Sequence, residues 1–454
     1  MFYGIKSYFN QHTPLKGLTR ALFLCLICIW LIFIYSSCNS TGSKNNNTDS
    51  IGILQLPKPT PVPEAESKRI YEAAKAWFDT VLLPCGFNGG MIIAKNNNII
   101  FEQYHGTGHL PGNDTITANT PFHIASTSKT FTGMAVLKLW QDGKLHIDDA
   151  FSKYFPQFNY PGVTIRTLLN HRSGLPNYTH YMEEVLNWDK TKIITNQDVL
   201  NTLINNKEQL GPIVSPNTKF AYCNSNYALL ALLIEKVTGK SYSDFVQNTF
   251  FIPLQMKNTF VFTMADTSKV IPSYDWKGLT PFNFLDAVYG DKNIYSTPRD
   301  LLIWDRALKS GQLLTEKTLN EAYAPYSNER PGVKNYGLGW RMNIYPNGKK
   351  IIFHNGWWHG SNSVFTRLLQ DSATIIVIGN KFNRNIYHTS RLANLFGDYN
   401  QPLEEEENNV SKPSEKQDSM KHTDVLTNPL VPLKEATKKP LQKSATIAKK
   451  KSKK

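Results

Sequence analysis

The residues best suited to chemistry in this chain are Ser126 and Lys129, the ends of a Ser-x-x-Lys tetrad inside FHIASTSKTFTG, residues 122–133. In a helix, side chains three positions apart share a face, so the Lys129 amine can reach the Ser126 hydroxyl. Free N–H groups in the first turn favour a developing alkoxide, and a lysine shielded from water can act as a base. The pair predicts a serine nucleophile activated by a lysine. Serine is also a common N-cap, and a capping role for Ser126 is the alternative.

A second candidate element is FAYCNSNY, residues 220–227, which contains Tyr222, Cys223 and Asn224. Side chains alternate in an extended segment, so Tyr222 and Asn224 are expected on one side and Cys223 on the other. A phenol beside a lysine ammonium favours its ionised form and can shuttle a proton. The Asn224 amide can orient a substrate carbonyl or the lysine. A buried tyrosine and a helix-capping asparagine are the alternative explanation.

A third candidate element is HNGWWHG, residues 354–360, at the end of a predicted strand. We expect His354 to face the substrate, and Gly356 allows a substrate backbone to approach the strand edge. The backbone N–H of Trp357 can join that of Ser126 in an oxyanion hole. The two adjacent tryptophans offer an apolar wall. An aromatic hairpin turn with glycines at positive φ is the alternative.

The hydrophobic pattern predicts the scaffold that must position these elements. Helices are predicted over 64–83, after Ser126, and over 227–238 and 297–308. Strands are predicted in an early hairpin at 90–94 and 99–104, and later at 351–354, 363–369 and 373–378. Strands at both ends with helices between them predict an α+β fold, an antiparallel sheet flanked by helices with an inserted all-helical region.

The formal net charge of +14 is distributed unevenly along the 454 residues. The first 37 residues contain three basic residues and no acidic one, and residues 403–454 contain 12 lysines against 8 acidic residues. The part between them has no dense basic stripe, so we predict no nucleic-acid binding by the folded domain. A hydrophobic content of 41% is enough for a buried core.

The N-terminus has the composition of a targeting segment. Residues 21–35 form an unbroken apolar run after Arg20. This run suits a signal peptide better than a spanning helix, which needs about 20 residues. Small residues then precede Cys38, a pattern similar to a bacterial lipoprotein cleavage site with Cys38 as the lipidated residue. Residues 1–37 are expected to be a signal peptide or an uncleaved anchor, and both place the remainder in the cell envelope, outside the cytoplasmic membrane.

Two further segments are predicted not to form a core. Residues 38–64 are rich in Asn, Ser and Thr and then in Pro, as in a flexible tether. Residues 401–454 begin with an acidic run and end in lysines, as in a disordered charged tail. In the folded part we expect Cys85 and Cys223 to be buried, unpaired thiols. No spacing of Cys and His indicates a metal site, and no organic cofactor is expected.

Taken together, the three elements resemble the serine β-lactamase and penicillin-binding-protein superfamily. The branch is that of β-lactamase-related serine hydrolases, which includes class C β-lactamases, D-alanyl-D-alanine carboxypeptidases, D-aminopeptidases and short-chain esterases. Four further segments carry the resemblance: VTIRTLLNHRSGLP at 163–176, PLQMKNT at 253–259, YSTPRDL at 295–301 and YGLGW at 336–340. The resemblance implies one domain over residues 65–400, with its helical region at about 120–290.

The resemblance also implies an acyl-enzyme path. Ser126 would attack, and Lys129 and Tyr222 would share the general base and acid work. Asn224 would position the acyl group, and the oxyanion would lie between the amides of Ser126 and Trp357. The implied partner is a small-molecule or peptidoglycan-derived substrate.

Two departures from the superfamily pattern bear on the substrate. His354-Asn355-Gly356 stands where Lys-Thr-Gly or Lys-Ser-Gly is usual. A lysine there can bind a substrate carboxylate, whereas a histidine, with an ordinary pKa of about 6.5, is mostly neutral at neutral pH. We therefore favour a carboxypeptidase or esterase over a true β-lactamase. The second departure is Cys223 in place of a serine, and because it points away from the site we expect little effect.

Two other classes of protein compete with this hypothesis. A catalytically silent binding or sensor protein would keep the pocket, but all three elements are intact here. An α/β-hydrolase esterase would carry G-x-S-x-G, which is absent from the sequence. The leading hypothesis is a membrane-anchored serine acyl hydrolase of the S-x-x-K type. Its natural substrate, its main general base and its oligomeric state are left open by the sequence.

Overall fold

The computed structural model describes residues 52–399. The predicted signal peptide or anchor, the lipidation site at Cys38 and the charged tail at 401–454 lie outside the described residues. Within 52–399, no helix combines the length and the apolar character needed to cross a membrane.

The described part of the chain contains one large sheet and two small ones. Its strands are β1 Gly89–Lys95, β2 Asn98–His105, β3 Phe122–His123, β4 Phe260–Val261, β5 Ser273–Asp275, β6 Gly278–Thr280, β7 Ile294–Ser296, β8 Lys334–Tyr336, β9 Arg341–Ile344, β10 Lys350–Trp358, β11 Ser361–Leu368 and β12 Ala373–Gly379. The large sheet has the order β2-β1-β12-β11-β10-β9-β8, and every pair in it is antiparallel. The early hairpin therefore joins the late strands through β1 and β12, which confirms the predicted sheet.

The central strands of the large sheet, β1, β12 and β11, are buried on both faces, as their apolar sequences require. Alternate residues of β12 pack into different clusters: Ile376 joins the core of the helical region, whereas Ile375 and Val377 pack against the N-terminal helix. This period-two division places helices on both sides of the sheet and explains why the strand is apolar throughout. The α+β class is confirmed.

The helices come in groups that separate runs of strands along the chain. They are α1 Glu64–Trp77, α2 Ser128–Gln141, α3 Ile165–Leu169, α4 Tyr178–Glu184, α5 Asn196–Asn205, α6 Lys207–Leu210, α7 Asn224–Thr238, α8 Tyr242–Val246, α9 Pro298–Lys309 and α10 Glu316–Ala322, with a 3₁₀ segment at Arg384–Leu395. The sequence sets several of the boundaries. Thr297 caps α9 by accepting from the Asp300 N–H, with Pro298 in the first helical position. Helix α1 is shorter than predicted, since its last turn, Phe78–Leu82, is a π-helix.

The inserted region is not all-helical, contrary to expectation. Strands β3, β7 and β4 form a three-stranded sheet, and β5 and β6 form a hairpin. Strand β3 is only two residues long, and such short pairings give no alternating pattern in the sequence. The small sheet matters for the site because β3 leads directly into the turn that carries Ser126.

Part of the predicted tether at 38–64 lies against the domain. The Leu54 N–H donates to the Pro253 carbonyl over 2.9 Å, and Arg306 donates to the Pro57 carbonyl over 2.8 Å. A proline-rich strand-like segment has no hydrogen bonds of its own, so its backbone groups are free to bind neighbours. The tether prediction is therefore corrected from Leu54 onward, and residues 38–51 lie outside the described part.

The two cysteines of the domain are both unpaired, but only one is buried. Cys223 is buried as expected. Cys85 is exposed because it ends the 3₁₀ turn Leu83–Cys85 at the surface, which corrects the expectation of two buried thiols.

Candidate active site

The candidate nucleophile lies on a tight turn before a helix. Ser126 is the middle residue of a single 3₁₀ turn, Ala125–Thr127, and helix α2 begins only at Ser128. The helix therefore begins after Ser126, as predicted. Ala125 has φ +47°, an unfavourable conformation for a residue with a Cβ, and such strain concentrates at functional sites. Ser126 is partly exposed between buried neighbours, so a substrate can reach its hydroxyl.

Lys129 is fully buried and joins three parts of the site. Its Nζ donates to Ser126 Oγ over 3.1 Å, to Asn224 Oδ1 over 2.9 Å and to the Asp291 carbonyl over 2.7 Å. Three acceptors match the three protons of an ammonium group. The structure thus places Lys129 in contact with the nucleophile, as the tetrad predicts. The Asp291 carbonyl was not predicted, and nothing in the sequence marks it.

Tyr222 lies beside this lysine with a free hydroxyl. The Lys129 Nζ is 5.1 Å from the centroid of the Tyr222 ring. The Tyr222 hydroxyl is buried and has no hydrogen-bond partner among the described residues. A buried phenol hydroxyl without a hydrogen-bond partner costs free energy unless a ligand or a water molecule bonds to it. The Tyr222 hydroxyl can therefore form its hydrogen bond with a substrate.

Asn224 reaches the site from a helix rather than from an extended strand. It is the first residue of α7, and Cys223 before it is extended. The buried thiol of Cys223 donates to the Pro176 carbonyl over 3.5 Å, away from Lys129. The expected alternation between Tyr222, Cys223 and Asn224 is therefore present, although the helix begins earlier than predicted.

Gly356 brings strand β10 against the nucleophile turn, Ala125–Thr127, which carries the candidate nucleophile. A Cβ added at Gly356 would lie 2.3 Å from the Ile124 carbonyl oxygen and 3.1 Å from the Ala125 Cβ. These distances are below van der Waals contact, so only glycine fits. The glycine is needed for packing within the protein, a reason different from the expected approach of a substrate backbone.

The two tryptophans after Gly356 point in different directions and do not form one wall. Trp357 is 57% exposed, and its ring nitrogen donates to the His359 carbonyl over 2.8 Å. Trp358 turns inward and donates to Asp286 Oδ1 over 2.6 Å. Adjacent residues of a strand face opposite sides, which explains the divergence.

His354 is fully buried and does not present a charge to a substrate. Its Nδ1 is 2.8 Å from the Asn355 carbonyl oxygen, and its Nε2 is 3.3 Å from the Tyr336 hydroxyl. Burial, followed by the nearby Arg341 and Lys129 charges, holds the pKa of His354 well below its ordinary value. The lowered pKa favours the neutral imidazole, and the burial of the ring corrects the expectation that His354 faces the substrate.

Arg341 is a residue of the site that sequence reasoning missed. It begins β9, pairs with Phe353 beside His354, and its Cζ lies 4.8 Å from the centroid of the Tyr222 ring. It is half-buried, and no carboxylate in residues 52–399 lies within ion-pair distance of its guanidinium. The one available signal was its position directly after YGLGW, residues 336–340.

The arrangement combines the parts of a serine acyl-transfer site. Ser126 touches a lysine amine, and beside that lysine lies a phenol whose hydroxyl has no partner within residues 52–399. A guanidinium without an acidic partner in the same range flanks the phenol. Gly356 holds β10, and with it the Trp357 backbone, against the nucleophile turn. In the described part of the chain, no three His, Cys, Asp or Glu side chains cluster as metal ligands would.

Comparisons with known proteins show which family this chain resembles in sequence and in fold. A family model described as Beta-lactamase matches residues 86–396. Penicillin-binding protein 4* of Bacillus subtilis is 31% identical over 321 residues, which are 67% of this chain and 70% of that protein. A penicillin binding protein from Bacillus halodurans has a similar structure, with a TM-score of 0.62, 23% identity, and coverage of 70% of this chain and 99% of that one. D-amino acid amidase from Ochrobactrum anthropi SV3 has a TM-score of 0.55, 25% identity, and coverage of 70% and 93%.

Proposed function

The chain belongs to the β-lactamase family of serine acyl hydrolases, and on that premise we propose that it hydrolyses an amide or ester through an acyl-enzyme on Ser126. The observation that carries the proposal is the 3.1 Å contact between Lys129 Nζ and Ser126 Oγ, with the hydroxyl partly exposed. A serine acting only as a helix cap needs no buried lysine on its oxygen. A lone buried cation is costly, and its three acceptors explain how it is kept there.

In the proposed reaction, Lys129 or Tyr222 first loses a proton to solvent and so becomes the base. Ser126 Oγ then bonds to the substrate carbonyl carbon, its proton passes to that base, and the carbonyl π electrons move onto the oxygen. The same pair then protonates the leaving amine or alkoxide as the carbonyl–leaving-group bond breaks. Water next attacks the acyl-enzyme, releases the acid and returns the proton to Ser126. The Ser126 and Trp357 amides are the proposed donors to the oxyanion, and Asn224 orients the acyl group.

The proposed substrate is a peptide that ends in a free carboxylate, with a D-amino acid next to the bond that is cut. Arg341 supports the carboxylate, because it is a half-buried cation without a carboxylate partner in residues 52–399 and it flanks Tyr222. Arginine binds carboxylates through two parallel hydrogen bonds. The similarity to a D-amino acid amidase and to penicillin-binding proteins supports the D configuration. A carboxypeptidase is therefore favoured over an esterase.

The proposed location is the outer side of the cytoplasmic membrane, with a lipid on Cys38. The support is the apolar run at 21–35 followed by Ser36, Ser37 and Cys38. Expression of the full chain with labelled palmitate tests this. We expect label in the wild type and none in Cys38→Ala, and label in neither would leave an uncleaved anchor as the explanation.

The test of the enzymatic proposal is covalent labelling of the full chain by a fluorophosphonate or penicillin probe, read by intact mass. We expect one adduct on the wild type and none on Ser126→Ala. Ser128→Ala is the matched control, since within residues 52–399 the Ser128 hydroxyl has one hydrogen bond, which it accepts from the Ile294 N–H. An adduct that persists on Ser126→Ala would refute the assignment. Absence of both adduct and turnover in the folded wild type would favour the catalytically silent binding protein.

A further inference from the structure

A buried histidine beneath Tyr222 has no role in the proposed mechanism. His171 lies in the segment 163–176, between α3 and α4, and is fully buried. It has φ +57°, a conformation that costs a non-glycine residue free energy. A buried polar side chain and a positive φ each cost free energy, and both occur at His171. A compensating interaction is therefore expected at this residue.

His171 holds the backbone on both sides of Tyr222. Its carbonyl oxygen accepts from the Ala221 N–H over 2.9 Å, and its Nδ1 accepts from the Cys223 N–H over 3.2 Å. The two bonds leave Tyr222 between them. The imidazole also lies against the phenol, with ring centroids 4.3 Å apart and planes tilted by 39°.

Tyr222 needs such support because its own segment is irregular. Residues 211–223 form neither helix nor strand, so no ladder of backbone bonds fixes the tyrosine. The next residue of the same turn adds a second attachment, since Arg172 donates to the Asn217 carbonyl over 2.9 Å. The turn at 171–172 therefore anchors the loop at two points, and His171 is the one adjacent to the phenol.

The hydrogen bonds determine the protonation of His171. Because Nδ1 accepts a hydrogen bond, the proton of the neutral ring is on Nε2, which is buried without a partner among the described residues. Burial, followed by the charges of Lys129 and Arg341, holds the pKa of His171 well below its ordinary value. The ring is a fixed acceptor next to two cations, and a leucine or phenylalanine in its place would lack that acceptor.

We infer that His171 is a positioning residue, which holds the Tyr222 ring beside Lys129 so that the phenol can take part in proton transfer. The inference rests on the proposed function, because it requires Tyr222 to act in catalysis. The inference gives the HRSG turn at 171–174 a role in catalysis. That role depends on the acceptor atom Nδ1 of His171 and not on the volume of its side chain alone.

The test is a double-mutant cycle in the full chain, measured on a chromogenic acyl substrate. His171→Leu removes the acceptor, and Tyr222→Phe removes the hydroxyl. We expect His171→Leu to lower kcat about 100-fold, as misplacement of a catalytic group by about 1 Å does, with KM within about threefold. In the Tyr222→Phe background the same change should alter kcat less than about threefold, because the group that it positions is already absent.

A conservative variant keeps the test decisive if His171→Leu folds poorly. His171→Asn retains an oxygen acceptor for the Cys223 N–H and tolerates positive φ, so we expect kcat within about tenfold of the wild type. Leu203→Ala, a fully buried change in α5, is the control for a general loss of stability, and it should lower the melting temperature with kcat unchanged.

The outcomes separate the two proposals. Equal losses from the His171 change with and without the Tyr222 hydroxyl would show that His171 does not act through Tyr222, and would overturn the inference. A loss of kcat in His171→Leu that is no greater than the loss in Leu203→Ala would also overturn the inference. Turnover that is identical in the wild type and Ser126→Ala would instead refute the proposed function.

Discussion

The charge that selects the substrate is expected to come from Arg341 and not from His354. The perturbation is Arg341→Gln, which removes the guanidinium charge and keeps a shorter, hydrogen-bonding side chain. In the structure this guanidinium has no acidic partner in residues 52–399, so the substitution leaves no carboxylate unpaired in the protein. The fold should therefore be little affected, and the loss should fall on binding of an anionic substrate.

The expected magnitude follows from the burial of Arg341. A hydrogen bond to a charged group contributes about 1.5–3 kcal/mol. Arg341 is only half-buried, so solvent screening places its contribution in the lower part of this range. With a factor of ten for each 1.4 kcal/mol, we expect kcat/KM for a carboxylate-ended substrate to fall about 10- to 50-fold.

The assay compares kcat/KM for an acyl-D-alanyl-D-alanine peptide with that for the same peptide carrying a C-terminal amide. Arg341→Gln should lower the value for the acid and leave the amide within about twofold. Arg391→Gln, in the exposed part of the 3₁₀ segment, controls for the loss of one positive charge. An equal loss on both peptides, or no loss on the acid, would refute charge recognition by Arg341.

Two further predictions concern pH. The ratio of kcat/KM between the acid and the amide should be flat from pH 5.5 to 8, because a guanidinium does not lose its proton in proteins and burial holds the pKa of His354 well below its ordinary value; a step near the ordinary histidine pKa would contradict this. Asp305 has a pKa of about 2 because, although burial raises it, Lys309 and Arg367 lower it more. Its contribution of about 2 kcal/mol is present above pH 4 and is lost as the pH falls toward 2. Asp305→Asn should destabilise the domain by about 3–5 kcal/mol at pH 7 by leaving Arg367 buried and unpaired, and urea unfolding at pH 7 and pH 3 should show a smaller difference in the variant than in the wild type.

The sequence predicted the elements whose signal is local. The hairpin of β1 and β2, the late strands β10 to β12 and the cap of α9 depend on alternation and capping residues within a few positions, and the structure has them close to where they were expected. The joining of early and late strands in one antiparallel sheet also followed, since strands at both ends of the chain must pair to bury their apolar faces, whereas the strand order was not predicted. Short pairings such as β3 with β7 carry no such pattern and were missed.

The candidate site was predictable only where its chemistry lies within a motif. Ser126 and Lys129 are neighbours on one turn, so their contact follows from spacing. The partners of Lys129 and Tyr222 come from elsewhere: the Asp291 carbonyl is a backbone atom, and His171 acts at positions 221 and 223 through its backbone and one ring nitrogen. Such contacts depend on tertiary placement and not on residue type.

The substitution of histidine for lysine in the third element illustrates the same limit. From the sequence, a neutral His354 indicated a weak hold on a carboxylate. In the structure a permanent cation lies on the adjacent strand, where Arg341 pairs with Phe353. Under the proposed function, Arg341 supplies from the neighbouring strand the cation that a lysine supplies in the usual motif, so the residue type at position 354 alone would not determine specificity.

Gly356→Ala tests whether the close contact between β10 and the nucleophile turn is needed for catalysis. The new methyl group would lie 2.3 Å from both the Ile124 carbonyl oxygen and Ser363 Oγ, and the first of these is backbone that cannot rotate away. Strand and turn must separate, which should cost about 1–3 kcal/mol of stability. The separation would also move the Trp357 amide from the Ser126 amide, so acylation should slow about 100-fold, as for a misplacement of about 1 Å. Stopped-flow acylation with a penicillin probe, alongside thermal unfolding, measures both effects. A destabilised variant that acylates at the wild-type rate would show that the oxyanion donors do not depend on this contact, and the Trp357 amide would then lose its assigned role.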